Sequence, residues 1–209
     1  MPEIVIREMP EDMSYDVIWD VLHKAHEDNI RRGIVFRTMT YTPDGLKTLV
    51  REEHHGKTFV AMDGDQVVGT TTCWPEERHR WYHNGPNLKW MLLGILPSHR
   101  GKHITSMLYQ AVEKEARDTG LPVIIFDTAE NNTRMIQTAE HLGFRKVDFR
   151  VFKVDHYSVV FAKWLGECPF SNTVCKLQYT LRRLVLILRF KPGRVSRFSW
   201  KRGERGKNP

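Results

Sequence analysis

From Leu92 onward the chain runs an apolar segment, a short polar turn and a helical pattern in direct succession. The segments are Leu92-Leu93-Gly94-Ile95-Leu96-Pro97, then Ser98-His99-Arg100-Gly101, then Lys102-His103-Ile104-Thr105, with the helix continuing past Leu108. A strand that hands over to a helix in so few residues aims the helix's unpaired N–H groups at one spot. That spot lies at the positive end of the helix dipole. It is an anion site, and a pyrophosphate fits it. Arg100 and Lys102 add positive charge, and Pro97 ends the strand's hydrogen bonding so that the chain can leave the sheet. Taken alone, the segment also suits an ordinary strand-to-helix turn with two exposed basic residues.

Ten histidines raise the question of a metal. Two pairs are four residues apart, His79 with His83 and His99 with His103. The first pair falls in an expected loop and the second straddles the turn into the helix. Neither has the His-Glu-x-x-His form and no Cys-x-x-Cys occurs, so no metal site is expected. Trp81, Tyr82 and Trp90 suit either an acceptor pocket or plain core.

The elements around this segment follow from periodicity and breakers. Glu3 to Arg7 alternates like a strand. Glu11 to Arg32 repeats Val17, Ile18, Val21, Leu22 and Ala25 at helical spacing, and Thr42-Pro43-Asp44 opens a second helix to about Glu53. Thr58 to Met62 and Gln66 to Cys73 are strands joined by Asp63-Gly64-Asp65, a hairpin signal. Pro75 to Pro86 is polar and expected to be a loop. Leu88 to Leu96 is a strand, and Lys102 to Thr119 is a helix closed by Gly120. Pro122 to Thr128 is a strand, and Asn131 to Leu142 is a helix stopped by Gly143. Phe144 to Val154 and His156 to Trp164 are the last strands. The strand-helix-strand-helix unit from Leu88 to Leu142 implies neighbouring parallel strands, and the hairpins imply antiparallel flanks.

The 209 residues, 41% hydrophobic and 27% charged, suit one soluble domain with an extension. Cys73, Cys168 and Cys175 are an odd, sparse set, as expected of reduced thiols in a cytoplasmic setting. Met1 to Glu8 reads as a strand rather than a secretory signal. No window approaches the roughly 20 apolar residues of a spanning helix. The net charge of +7 is unevenly placed: Lys176 to Pro209 holds eleven Lys/Arg against Glu204, leaving −3 for the rest. In that tail Leu177, Leu181, Leu184, Val185 and Leu188 form an apolar helical stripe. It suits a C-terminal helix packed on the domain, or a basic amphipathic helix lying peripherally on an anionic inner membrane surface. Nucleic acid is the least favoured partner, because the basic run is short.

The central segment resembles motif A of the GNAT N-acetyltransferase superfamily, Val-x-Pro followed by Arg/Gln-x-x-Gly-x-Gly/Ala. Here that reads Ile95-Leu96-Pro97 and Arg100-Gly101-Lys102-His103-Ile104-Thr105. Ile124 to Thr128, Asn132 and Leu142-Gly143-Phe144 match the family's following strand, Asn and helix end. Phe59-Val60-Ala61 and Val67-Val68-Gly69-Thr70 look like its hairpin. His103 and Thr105 depart from the small residues of the loop. Ala139 stands where many members carry a Tyr acid.

The resemblance, over roughly Ile4 to Trp164, implies an α/β fold. It would be a mixed, twisted, mostly antiparallel sheet with a central splayed parallel pair and helices on both faces. Residues 1–166 would form this domain and 167–209 a basic extension. It implies acetyl-CoA as co-substrate, held by Gly94, Ile95, Arg100, Gly101, Lys102, His103, Ile104, Thr105 and Asn132. An amine would attack the thioester directly in a ternary complex, with oxyanion donors around Gly94 and Ile95. Asp127 sits where some bacterial protein N-terminal acetyltransferases of the family carry a catalytic Glu. Its apolar neighbours would raise its pKa. Capping of the following loop is the competing role. Glu130, His83 and Tyr157 are further candidates, Tyr157 as a replacement acid. The expected acceptor is a small-metabolite amine or amino sugar. The alternatives are a membrane-associated precursor and a catalytically degenerate CoA-binding regulator. Self-association as a homodimer stays open.

Overall fold

The computed structural model describes residues 3–32, 34, 40–152 and 156–189. In chain order the elements are β1 (Ile4–Glu8), α1 (Tyr15–Arg31), α2 (Pro43–Lys47), β2 (Lys57–Asp63), β3 (Gln66–Arg80), β4 (His83–Ile95), α3 (Ile104–Asp118), β5 (Val123–Ala129), α4 (Thr133–His141), β6 (Arg145–Phe152), β7 (His156–Trp164) and α5 (Asn172–Arg189). Local chemistry sets several boundaries. Ser14 accepts from the Asp16 amide and starts α1, later than the expected Glu11. Thr42 accepts from the Gly45 amide and Pro43 opens α2, which widens into a π-helical turn over Thr48–Glu53.

The seven strands form one sheet in the order β1-β2-β3-β4-β5-β7-β6. Every neighbouring pair is antiparallel except β4 and β5, which run parallel and pair only at Leu88↔Ile124 and Lys89↔Ile125. This is the mixed sheet that the element order implied, with the splayed central pair that the resemblance implied. Helices cover both faces. A Cβ on Gly94 would meet Leu22 and Ala25 of α1, whereas one on Gly69 would meet Ile104 of α3. On the α3 face Trp90, Tyr109, Phe126, Phe144 and Phe161 pack ring against ring, so Trp90 belongs to the core. Such aromatic pairs add about 1 kcal/mol each beyond simple burial.

Two expectations are corrected. Pro75 to Pro86 is not a loop but the distal half of the β3–β4 hairpin, paired from Pro75↔Leu88 to Arg80↔His83. There β2 has already ended at Lys57↔Cys73 and β5 begins only opposite Leu88, so the hairpin is a two-stranded ribbon with open edges. Proline is tolerated on such edges, and the ribbon turns one face inward, where Arg78 and Asn87 are buried and Tyr82 packs with Val123, Val147 and Val160. Arg78 ties it together, donating to Glu76 and to the Tyr82 hydroxyl.

The second correction concerns α5. The helix forms and packs on the domain, but not through the stripe of Leu177, Leu181, Leu184, Val185 and Leu188, which stays exposed. Its packed face is Cys175, buried with Val147 and Val160, and Tyr179, edge-on to Phe149. Arg182 pairs with Asp148 at 2.8 Å and Arg183 with Glu130 at 2.6 Å. The basic residues from Lys191 onward lie outside the described residues.

Candidate active site

The site begins where β4 and β5 part. Past Lys89 and Ile125 the two strands no longer pair. A bulge in β4 lies just beyond: Thr72 faces Met91, but Thr70 faces Gly94. Leu92 takes a left-handed conformation there, with φ 55°. An aliphatic residue held so costs on the order of 1–3 kcal/mol, a strain found mostly at functional sites. The extra residue turns Gly94 toward α1, where Leu22 Cδ2 would lie 3.0 Å from any added Cβ. Gly94 is therefore required for helix and strand to meet this closely.

A cleft of about 950 Å³ opens along this edge. Its walls are Ala25, His26 and Asn29 of α1, Leu93, Gly94 and Ile95 of β4, the turn from His99 to Gly101 with His103 to Ser106 at the start of α3, and Asn132, Met135 and Thr138 of α4. The N-terminus of α3 points into it. His103 precedes that helix at φ 59° and no side chain caps it. The first-turn N–H groups of Ile104, Thr105 and Ser106 thus keep their donor capacity. Gly101, at φ 82°, makes the turn that brings them there. A left-handed His is among the better-tolerated non-Gly choices, which accounts for a His where the motif has Gly.

Of the residues expected to hold the cofactor, Gly94, Ile95, Arg100, Gly101, His103, Ile104, Thr105 and Asn132 all line this cleft. Lys102 does not; it is exposed on the turn. Arg100 faces α1, donating to the Ala25 carbonyl at 2.7 Å and to Asp28 at 3.3 Å. It therefore positions the turn against the helix. Asn132 caps α4 by accepting from the Met135 amide and donates to Thr128 at 3.0 Å. His99 bridges Ser98 and Asp63, tying the turn to the β2–β3 hairpin.

The expected catalytic residues lie elsewhere. Asp127 does not line the cleft, and its carboxylate bonds the buried Lys89 ammonium at 2.5 Å. Burial pushes its pKa up, but Lys89, with Arg150 and Arg78 beyond it, pulls harder, so the net shift is below the ordinary carboxylate value. The expected rise is thus reversed, because a cation 38 residues away in sequence supplies what the apolar neighbours withhold. Tyr157 stacks on Phe149 with ring centroids 5.2 Å apart. Glu130 is paired with Arg183, and His83 bonds the Pro86 carbonyl. Ala139 is buried in the core.

The ionisable group that sequence reasoning passed over is His26. It is buried on α1, lines the cleft, sits 3.5 Å from Asn29 and bonds the Leu93 main chain. Burial pushes its pKa down to about 4, and the nearby Arg100 adds to this. The signal was present: His26 continues the inward series Ile18, Leu22 at four-residue steps.

The acetyltransferase (GNAT) family model matches residues 19–144, more than half of the chain. Rat "N-acetyltransferase family 8 member 2" is 30% identical over 111 residues, 53% of this chain and 45% of that protein. "N-alpha-acetyltransferase 30" of Schizosaccharomyces pombe is 30% identical over 88 residues, 41% and 55% of the two chains. The chain thus spans about half the length of these curated relatives. Among solved structures, an acetyltransferase from Streptococcus agalactiae superposes with a TM-score of 0.59 at 17% identity, over 78% of this chain and 98% of that one. A chain of the NatC complex bound to Gag peptide and CoA gives 0.61 at 14%, over 78% and 99%. With a splayed β4–β5 pair, an uncapped α3 beside it and this family match over its core, the chain belongs to the GNAT acetyltransferase family.

Proposed function

We propose that this protein is an N-acetyltransferase that moves an acetyl group from acetyl-CoA to the primary amine of a small metabolite or amino sugar. The observation that carries this is the cleft itself, in which one strand edge without a ladder partner faces one helix N-terminus without a cap. The α3 amides suit the phosphates, and the β4 edge at Leu93 to Ile95 offers main-chain groups to an extended amide chain. Acetyl-CoA, when bound, supplies an acetyl thioester open to attack by an amine. The N–H groups of the β4 edge would stabilise the oxyanion that forms.

The amine must lose a proton, and no carboxylate among the described residues lines the cleft to take it. His26 is held neutral and weakly basic, and Asp127 is held ionised by Lys89. The proton therefore leaves by way of water, with Asp127 as the notable carboxylate at the point where the strands part. Thiolate departs without a dedicated acid, in keeping with Ala139 in the core.

Calorimetry with acetyl-CoA tests the cofactor: micromolar binding is expected, with about a tenfold loss in Arg100→Ala through the misplaced turn. No binding by the wild type would remove the whole reading. Thiol release on a panel of amino sugars, small amines and short peptides tests the acceptor. Turnover of amino sugars or small amines supports the proposal. Turnover of peptides alone would favour a second reading, transfer to a peptide α-amine, which the likeness to N-alpha-acetyltransferase 30 supports. Binding without any turnover would mark a degenerate CoA-binding domain. Asp127→Asn should slow turnover while leaving acetyl-CoA affinity unchanged; wild-type rates would exclude it.

A further inference from the structure

We propose that α5 seats the protein on an anionic membrane surface, with its outer face as the contact. Val174, Leu177, Leu181, Leu184, Val185 and Leu188 are 40%, 57%, 49%, 49%, 47% and 76% exposed. At 3.6 residues per turn these six side chains fall within one arc of roughly 100°. Scattered exposed leucines are ordinary, but six on one continuous arc are not.

The arc is held outward by design of the opposite face. Cys175 and Tyr179 pack on β6, and the Arg182–Asp148 and Arg183–Glu130 pairs fix the helix's rotation. The outer residues cannot turn inward without breaking both ion pairs.

Charge selects the occupant. From Lys176 to the chain end there are eleven Lys/Arg and one acid, while the rest of the chain is net negative. A second copy would bring the same net positive sequence to the contact, and like charges oppose that. An anionic bilayer offers both needed partners, negative headgroups and an apolar layer beneath them. No described helix is long and apolar enough to cross a membrane, so α5 would lie along the surface. This inference stands apart from the acetyl-transfer reading, since its assay needs neither substrate.

The test is co-sedimentation of the full-length chain with vesicles of phosphatidylcholine alone or mixed with phosphatidylserine. Binding to the mixed vesicles is expected, at least about tenfold weaker on phosphatidylcholine alone and falling as salt rises. L181E/L184E should lose about tenfold of the binding to mixed vesicles while acetyl-CoA affinity and melting temperature stay at wild-type values. Leu188→Glu, at the most exposed position, carries the same test should the double variant misfold. Val5→Glu, on an exposed strand residue far from the stripe, should change nothing. Equal sedimentation of wild type and stripe variants, or no binding to anionic vesicles, overturns the proposal. So does a dimer in analytical ultracentrifugation that the stripe variants dissolve, for then a second copy covers the face.

Discussion

The two edges of β4 are built on opposite principles. Toward β3 the strand is paired from His83 to Ile95, through a bulge and across two prolines. Toward β5 it pairs at two residues and then departs. One strand thus serves as sheet interior on one side and as binding edge on the other. The paired edge makes the open one affordable: β4 is held in place by β3, so it can forgo half of its β5 ladder and carry a left-handed Leu92. An unpaired edge inside a sheet is otherwise a liability. Here it is walled by α1 on one face and α3 on the other, which converts missing hydrogen bonds into capacity for a ligand.

The sharpest way to break this contrast is at the last rung. Lys89 is the final β4 residue paired with β5, and its ammonium reaches across to Asp127 on that strand. Lys89→Met keeps the volume but leaves a largely buried carboxylate, 26% exposed, without its nearest cation. Removing one partner of a buried pair costs about 3 kcal/mol, or roughly 10 °C of melting temperature at this size. The double variant with Asp127→Asn should recover most of it, since neither charge then remains. A single variant that melts like wild type would show that the ion pair does not fix where the strands part.

What was legible beforehand follows the same division. Backbone demands write themselves into residue types: Gly101, Gly120 and Gly143 all sit at positive φ, where the sequence placed turns and helix ends. Local periodicity gave α1, α3, α4 and most of the strands. The outer β3–β4 ribbon was missed because its inward face is largely polar, with Arg78 and Asn87 buried beside Tyr82, so alternation carries no hydrophobic signal. The pKa of Asp127 was misjudged because burial is visible from neighbours in sequence, whereas Lys89 is a neighbour only in space. In α5 periodicity revealed an apolar face but not its direction, which the packing of Cys175, Tyr179, Leu186 and Ile187 decides, with Arg182 and Arg183 adding ion pairs to distant acids.

A second measurement sharpens the contrast from the open edge. His26 bonds the Leu93 main chain on that edge and is held neutral, its pKa moved from 6.5 to about 4. Below pH 6.5 the unfolded chain takes up a proton there that the folded chain does not. Unfolding then becomes easier as pH falls, until the folded site also protonates near pH 4. From pH 6.5 to about 5 the loss is about 2 kcal/mol. Denaturant unfolding at stepped pH should show this slope, and His26→Gln should flatten it. Some slope will persist, because His23 is shifted in the same direction by burial. An unchanged slope in the variant would mean that burial against the open edge does not hold His26 neutral in the folded chain.

The smallest effect concerns the helix that faces the open edge. His103 holds φ 59° immediately before α3, with its side chain exposed at the cleft. A glycine would relieve about 1 kcal/mol of left-handed strain but would also loosen the unfolded chain by nearly as much. The melting temperature of His103→Gly should therefore stay within a degree or two of wild type. The affinity for acetyl-CoA should still rise, by about threefold, which is under 1 kcal/mol. The reason is steric: without the imidazole, phosphate can approach the Ile104 and Thr105 amides more closely. His103→Ala separates the two effects, because it removes the ring but keeps a Cβ at positive φ. It should melt lower than His103→Gly and bind nearly as well. If affinity falls in both variants instead, the imidazole is itself a phosphate ligand, and the open edge of β4 faces a site made of side chain as well as backbone.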